Sequence, residues 1–120
     1  MIRSRLRSQR PAVGSVIFTD VAWGEIARSL KLSRREVQIV RRVFDDRTEF
    51  AIAAELGISP HTVHTHFERL HRKLGVVDRV GLVLRVMQEF VALTLAPGTT
   101  LPSICANRAA GRCPLLNPRR

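Results

Sequence analysis

The stretch Ala51-Ile52-Ala53-Ala54-Glu55-Leu56-Gly57-Ile58-Ser59-Pro60-His61-Thr62-Val63 decides the fold. Ile52 and Leu56 have the spacing of one helix face, and the small side chain of Ala53 lets a second helix cross closely. Gly57 tolerates the left-handed backbone that stops a helix abruptly. Ser59 followed by Pro60 marks a new helix: a hydroxyl cap, then a residue whose missing N–H is not needed in the first turn. Ile58 and Val63 can plug the angle between the two helices. Two helices joined by so few residues predict a helix-turn-helix, with a plain helical hairpin as the alternative from this pattern alone.

Working outward, the helix opened by Pro60 is expected to reach Leu74 and end at Gly75. Asp78 then caps a last helix carrying Val80, Leu82, Val83, Val86, Met87 and Phe90, which fades near Leu93. Upstream, Thr48 caps the short helix that holds Ile52 and Leu56. Ser33 with Glu36 three residues on is a capping box, opening a helix with Val37, Ile39, Val40, Val43 and Phe44 that should end near Asp45-Asp46. A first helix runs from Asp20, taken as its N-cap, to Leu30, with Val21, Trp23, Ile26 and Ala27 apolar. No sustained period-2 run or hairpin dipeptide occurs, so the fold class is all-α. The pattern of Glu25-Ile26-Ala27-Arg28-Ser29-Leu30-Lys31-Leu32-Ser33 nearly repeats the deciding stretch 26 residues earlier. It has Lys31 where the turn calls for glycine, so the helix-turn-helix is placed in the second copy and the first helix is read as a packing helix.

The 120 residues fit one domain, and 20 Lys+Arg against 10 Asp+Glu give a formal charge of +10 that points first to a polyanion. The charge is unevenly placed: 4 basic and 0 acidic residues in 1–12, 10 and 8 in 32–91, and 4 and 0 in 92–120. Residues 1–18 are therefore expected to form a basic arm and 96–120 a Pro-rich basic tail, flanking a helical body over 19–95. No window is long and apolar enough for a membrane span, and a cytoplasmic protein with no membrane partner is the expectation. Cys105 and Cys113 are spaced unlike a zinc or thioredoxin motif, so two free thiols are expected.

At this point residues 32–86 resemble the LuxR-type (GerE-like) helix-turn-helix domain of bacterial transcription regulators, in a stand-alone form without a sensor domain. Leu32-Ser33-x-Arg35-Glu36-x-x-Ile39-Val40 is similar to the family's opening. Ile52-Ala53-x-x-Leu56-x-Ile58-Ser59 resembles its scaffold and turn. Thr62-Val63-x-x-His66-x-x-x-Leu70-x-x-Lys73-Leu74-Gly75-Val76 resembles its recognition helix and exit, with Asp78-Arg79 entering the last helix. The resemblance implies a four-helix DNA-binding domain (32–91), here with an extra N-terminal helix. It also implies a recognition helix over 60–74 in the major groove of double-stranded DNA, and a last helix that makes the homodimer contact. The function implied is sequence-specific transcriptional regulation in the bacterial cytoplasm, at the nucleoid, with RNA polymerase as a candidate partner. A sigma-factor region-4-like promoter module and a dimerisation adaptor are the alternatives.

A helical wheel of residues 61–74 puts Val63, Phe67, Leu70 and Leu74 on one side, with His66 at its edge. Recognition helices read bases from their N-terminal half, so His61, His64, Thr65 and Glu68 are the candidates for base edges. Thr62, Arg69, Arg72 and Lys73 are better placed for phosphate. Compared with relatives, His64, Glu68 and Phe50 replace residues that are often basic, so the domain alone should bind weakly and the basic ends should add affinity. Protonation of the histidines beside a polyanion is favoured, so affinity should rise as pH falls. His61, His64, Glu68 and His71 share a broad arc, but they point to solvent or DNA without a closed tetrahedral set, so no metal and no cofactor are expected. No catalytic constellation is present, and an enzyme is not expected. The apolar excess on the last helix places the dimer interface at Val83, Leu84, Met87 and Phe90; the alternative is that the Asp20 to Leu30 helix, with Trp23, covers it within one chain.

Overall fold

The computed structural model describes residues 14–99 and 101. Among them, a short 3-10 turn at Ser15–Ile17 precedes five α-helices: α1 (Asp20–Leu30), α2 (Arg34–Phe44), α3 (Glu49–Leu56), α4 (Pro60–Leu74) and α5 (Arg79–Leu95). Helix α3 packs on α4 and α1 on α5, while α2 touches α4, α5 and the 3-10 turn.

Each of the five α-helices begins at a side-chain cap that satisfies an otherwise orphaned backbone N–H. Ser33 and Glu36 form the complete capping box of α2, Thr48 accepts from Ala51 N, Ser59 from Thr62 N and Asp78 from Gly81 N. At α1 the cap is Thr19, whose hydroxyl accepts from Ala22 N, and not Asp20. Thr19 has the extended backbone that aims its oxygen into the first turn. Asp20 is the first helical residue and pairs with Arg41 at 3.2 Å.

The turn between α3 and α4 has Gly57 at φ 69°, ψ 33°, with Ile58 N donating to Ala53 O at 3.0 Å. The earlier copy is built alike: Lys31 sits at φ 57°, ψ 43°, with Leu32 N donating to Ala27 O at 2.8 Å. The sequence repeat is thus a repeat of turn geometry, held at Lys31 against the usual steric cost for a side chain in that region.

Ile26, Ile39, Val40, Ile52, Val63, Leu70, Leu82 and Val86 are fully buried and join all five helices into one core. Trp23, Phe18, Phe44 and Phe90 form an aromatic cluster at one side, with Phe18 4.6 Å from Phe90 and 5.0 Å from Trp23.

The folded body begins before residue 19. Phe18 is buried, Trp23 Nε1 donates to Ser15 O at 2.7 Å, and Ser15 N donates to Asp45 Oδ1 at 2.7 Å. Gly14 lies so close to the end of α2 that a Cβ there would stand 1.4 Å from Phe44 O. Residues 14–18 are therefore part of the packed structure and not of the expected arm. At the other end Leu101 packs on the core, whereas residues 1–13 and the cysteine pair Cys105 and Cys113 lie outside the described residues. Among the described residues no helix is long and apolar enough to cross a membrane.

Candidate nucleic-acid interface

Helix α4 is fastened from beneath by Val63, Phe67 and Leu70, all buried, and closed at its end by Gly75 in the left-handed conformation. Its other face is open. His61, Thr62, His64, Glu68, Arg69 and Arg72 are exposed and Thr65 is half-buried, so the four base-reading candidates share one accessible face over two turns. Thr65 Oγ1 donates to His61 O at 3.1 Å, and the Thr62 hydroxyl lies 2.8 Å from Ser59 Oγ.

His64 stands between two carboxylates. Its Nδ1 is 3.4 Å from Glu49 Oε1 on α3 and its Nε2 is 3.8 Å from Glu68 Oε1 on α4. Glu49 had no distinguishing mark in the sequence; only the turn at Gly57 brings the first residue of α3 beside the second turn of α4. Its neighbour Phe50 is 76% exposed, an aromatic face at the same edge. The first half of α4 thus offers hydroxyl, imidazole and carboxylate groups that can donate to or accept from base edges, with little fixed positive charge. Among the described residues no group of three or more His, Cys, Asp or Glu side chains could hold a metal ion.

Three expected placements differ. Lys73, expected at phosphate, turns back into the body: its Nζ donates to Glu36 Oε1 at 2.7 Å and to Lys31 O at 2.9 Å. Burial works to raise the Glu36 pKa, but the hydrogen bonds from Lys73 and Ser33 and the Lys73 charge outweigh it and hold the carboxyl below its ordinary value. His71, expected to face solvent, is half-buried with Nε2 out of contact with water and without a hydrogen-bond partner among the described residues. It lies one turn after buried Phe67, at a ring-centroid distance of 6.0 Å, on the core-facing edge of α4. Phe90, expected at a dimer interface, is buried within its own chain against Phe18. Met87 and Val83 are half-buried, and Leu84 is 56% exposed.

A model of the family described as "Bacterial regulatory proteins, luxR family" matches residues 25–86. The "Probable transcriptional regulatory protein NarL" of Mycobacterium tuberculosis is 45% identical over 58 residues, 48% of this chain and 27% of that protein. The "Transcriptional regulatory protein UhpA" of Escherichia coli is 44% identical over 55 residues, 46% of this chain and 28% of that protein. The "HTH-type transcriptional regulator MalT" of Serratia proteamaculans is 33% identical over 72 residues, 60% of this chain and 8% of that protein. The match therefore spans little more than a quarter of the first two relatives. No solved structure gives a significant match.

Proposed function

The chain belongs to the luxR family of bacterial regulatory proteins, and from that premise we propose that it is a sequence-specific DNA-binding transcription regulator acting in the cytoplasm. Helix α4 enters the major groove, with His61, His64, Thr65 and Glu68 facing base edges and Thr62, Arg69 and Arg72 facing phosphate. The observation that carries this reading is that those side chains, all exposed except half-buried Thr65, share one face of a helix whose other face is locked into the core. The protein acts as a homodimer through α5, where Val80, Leu84, Val91 and Leu95, each at least 50% exposed, recur with Met87 along one side of the helix. Contact with RNA polymerase is part of the same proposal, and pull-down of polymerase subunits tests it.

Selection of bound duplexes from a random pool by the full chain tests the reading. It should return a consensus of two related half-sites spaced about one helical turn apart. A pool with no enriched sequence would reject specific recognition.

A further inference from the structure

The described residues contain twelve Lys and Arg side chains, and their pairing divides the molecule. Seven are engaged. Arg28 pairs with Glu25, Arg41 with Asp20, Arg42 and Arg47 with Glu55, Lys73 with Glu36 and Arg85 with Glu89, while Arg79 donates to Arg47 O. The other five, Lys31, Arg34, Arg35, Arg69 and Arg72, make no ion pair or side-chain hydrogen bond among the described residues.

These five lie around one junction. Lys31, Arg34 and Arg35 occupy the α1–α2 turn and the first turn of α2; Arg69 and Arg72 lie on the last part of α4. The bridge from Lys73 Nζ to Lys31 O and Glu36, which also caps α2 at Ser33, ties the two segments together. All but the half-buried Arg35 are exposed. Glu36, the carboxylate within this junction, is already occupied by Lys73 and the cap.

We propose that this junction extends the DNA contact: a sequence-independent clamp on the sugar-phosphate backbone in which Lys31, Arg34 and Arg35 join Arg69 and Arg72. Lys73 is its positioning residue, not a direct contact. The partner is DNA because the clamp continues the helix that carries the base-reading side chains; its α4 members lie about 9 Å further along that helix, centre to centre, at roughly 1.5 Å per residue. That spacing lets base edges and a flanking backbone be engaged at once. The clamp supplies the positive charge that the reading end lacks. It rests on the proposed function, in that DNA must be bound at all.

The test measures binding of the full chain and of K31Q/R34Q/R35Q to a duplex taken from the selection and to a scrambled duplex of equal length, across a salt series. Removing one phosphate-neutralising cation lowers the slope of log affinity against log salt by about 0.9, so the triple variant should show a slope smaller by roughly two to three. The decrease should be the same on both duplexes, with the ratio of the two affinities unchanged. R69Q/R72Q, on the other segment, should give a decrease of the same kind and guards against a folding defect in the first variant. An unchanged slope in the triple variant, or a decrease confined to the selected duplex, overturns the clamp. If the wild-type chain binds neither duplex, the clamp and the proposed function fall together; if it binds both equally, base reading falls and the clamp is still judged by its slope.

Discussion

Lys31 carries two opposed demands. Its backbone is left-handed, a conformation that glycine adopts without a Cβ penalty, yet its side chain belongs to the unpaired basic group. Lys31→Gly should therefore raise stability by about 0.5–1 kcal/mol in urea unfolding while weakening DNA binding and flattening its salt dependence. Glu36 gives a pH signature. Its carboxyl is held below the ordinary value, so the stability it contributes is present above the unfolded-state pKa of 4.5 and is lost as pH falls through the folded-state value. Glu36→Gln should cost about 1–2 kcal/mol at pH 7, and the gap between variant and wild type should be narrower in acid, below 4.5, than at pH 7. Urea titrations at both pH values check this. The sequence showed Glu36 as a capping residue because that role is local. It did not show the Lys73 partnership, since Lys73 looks like any surface cation until the fold sets it beside a residue 37 positions away. His71 escaped for a similar reason: a four-residue step from Phe67 puts it on the core edge, but its polarity suggested solvent.

Helix boundaries were legible because caps are short-range: Ser33, Thr48, Ser59 and Asp78 all cap where the sequence places them, and Gly57 and Gly75 both end helices. Thr19 and Asp20 were confused because adjacent cap-forming residues compete, and only the backbone conformation of Thr19 separates them. The segment at residues 14–18 was illegible. Its order comes from Phe18 in the aromatic cluster and from contacts to Trp23, Phe44 and Asp45, none of which leaves a periodic trace in so short a stretch. Gly14 makes the strongest demand there. Gly14→Ala should force the segment off α2 and cost about 2 kcal/mol or more, since the new Cβ meets a backbone carbonyl that cannot yield. Thermal melting measures the effect, and a shift in Trp23 fluorescence should accompany it as the bond to Ser15 breaks. In α5 the apolar excess was visible, but its division was not. Leu82, Val86 and Phe90 serve the core, while Val80, Leu84, Val91 and Leu95 are left outside. Leu84→Asp with Val91→Asp should shift a dimer towards monomer in sedimentation at equal concentration without loss of helix content; an unchanged mass would remove α5 as the interface.

Across the whole molecule, net charge pointed to a polyanion but not to where one would bind. Summed over residues 32–91 the charges nearly cancel, with 10 basic and 8 acidic residues, which suggests a weakly attracting body. Pairing resolves that balance into a paired framework, a first half of α4 bearing histidine, threonine and glutamate, and a cluster of unpaired cations shared between the last part of α4 and the α1–α2 junction. On the proposed reading, specificity belongs to the first half of α4 and attraction to that junction. The central claim is that the first half of α4 reads base sequence. The most direct measurement is the ratio of affinities for selected and scrambled duplexes, at one salt concentration, for the wild type and Glu68→Ala. A carboxylate that accepts from a base contributes about 1–3 kcal/mol of discrimination, so the ratio should fall roughly five- to 150-fold, while affinity for the scrambled duplex holds or rises as a negative charge is removed. An unchanged ratio would contradict the account.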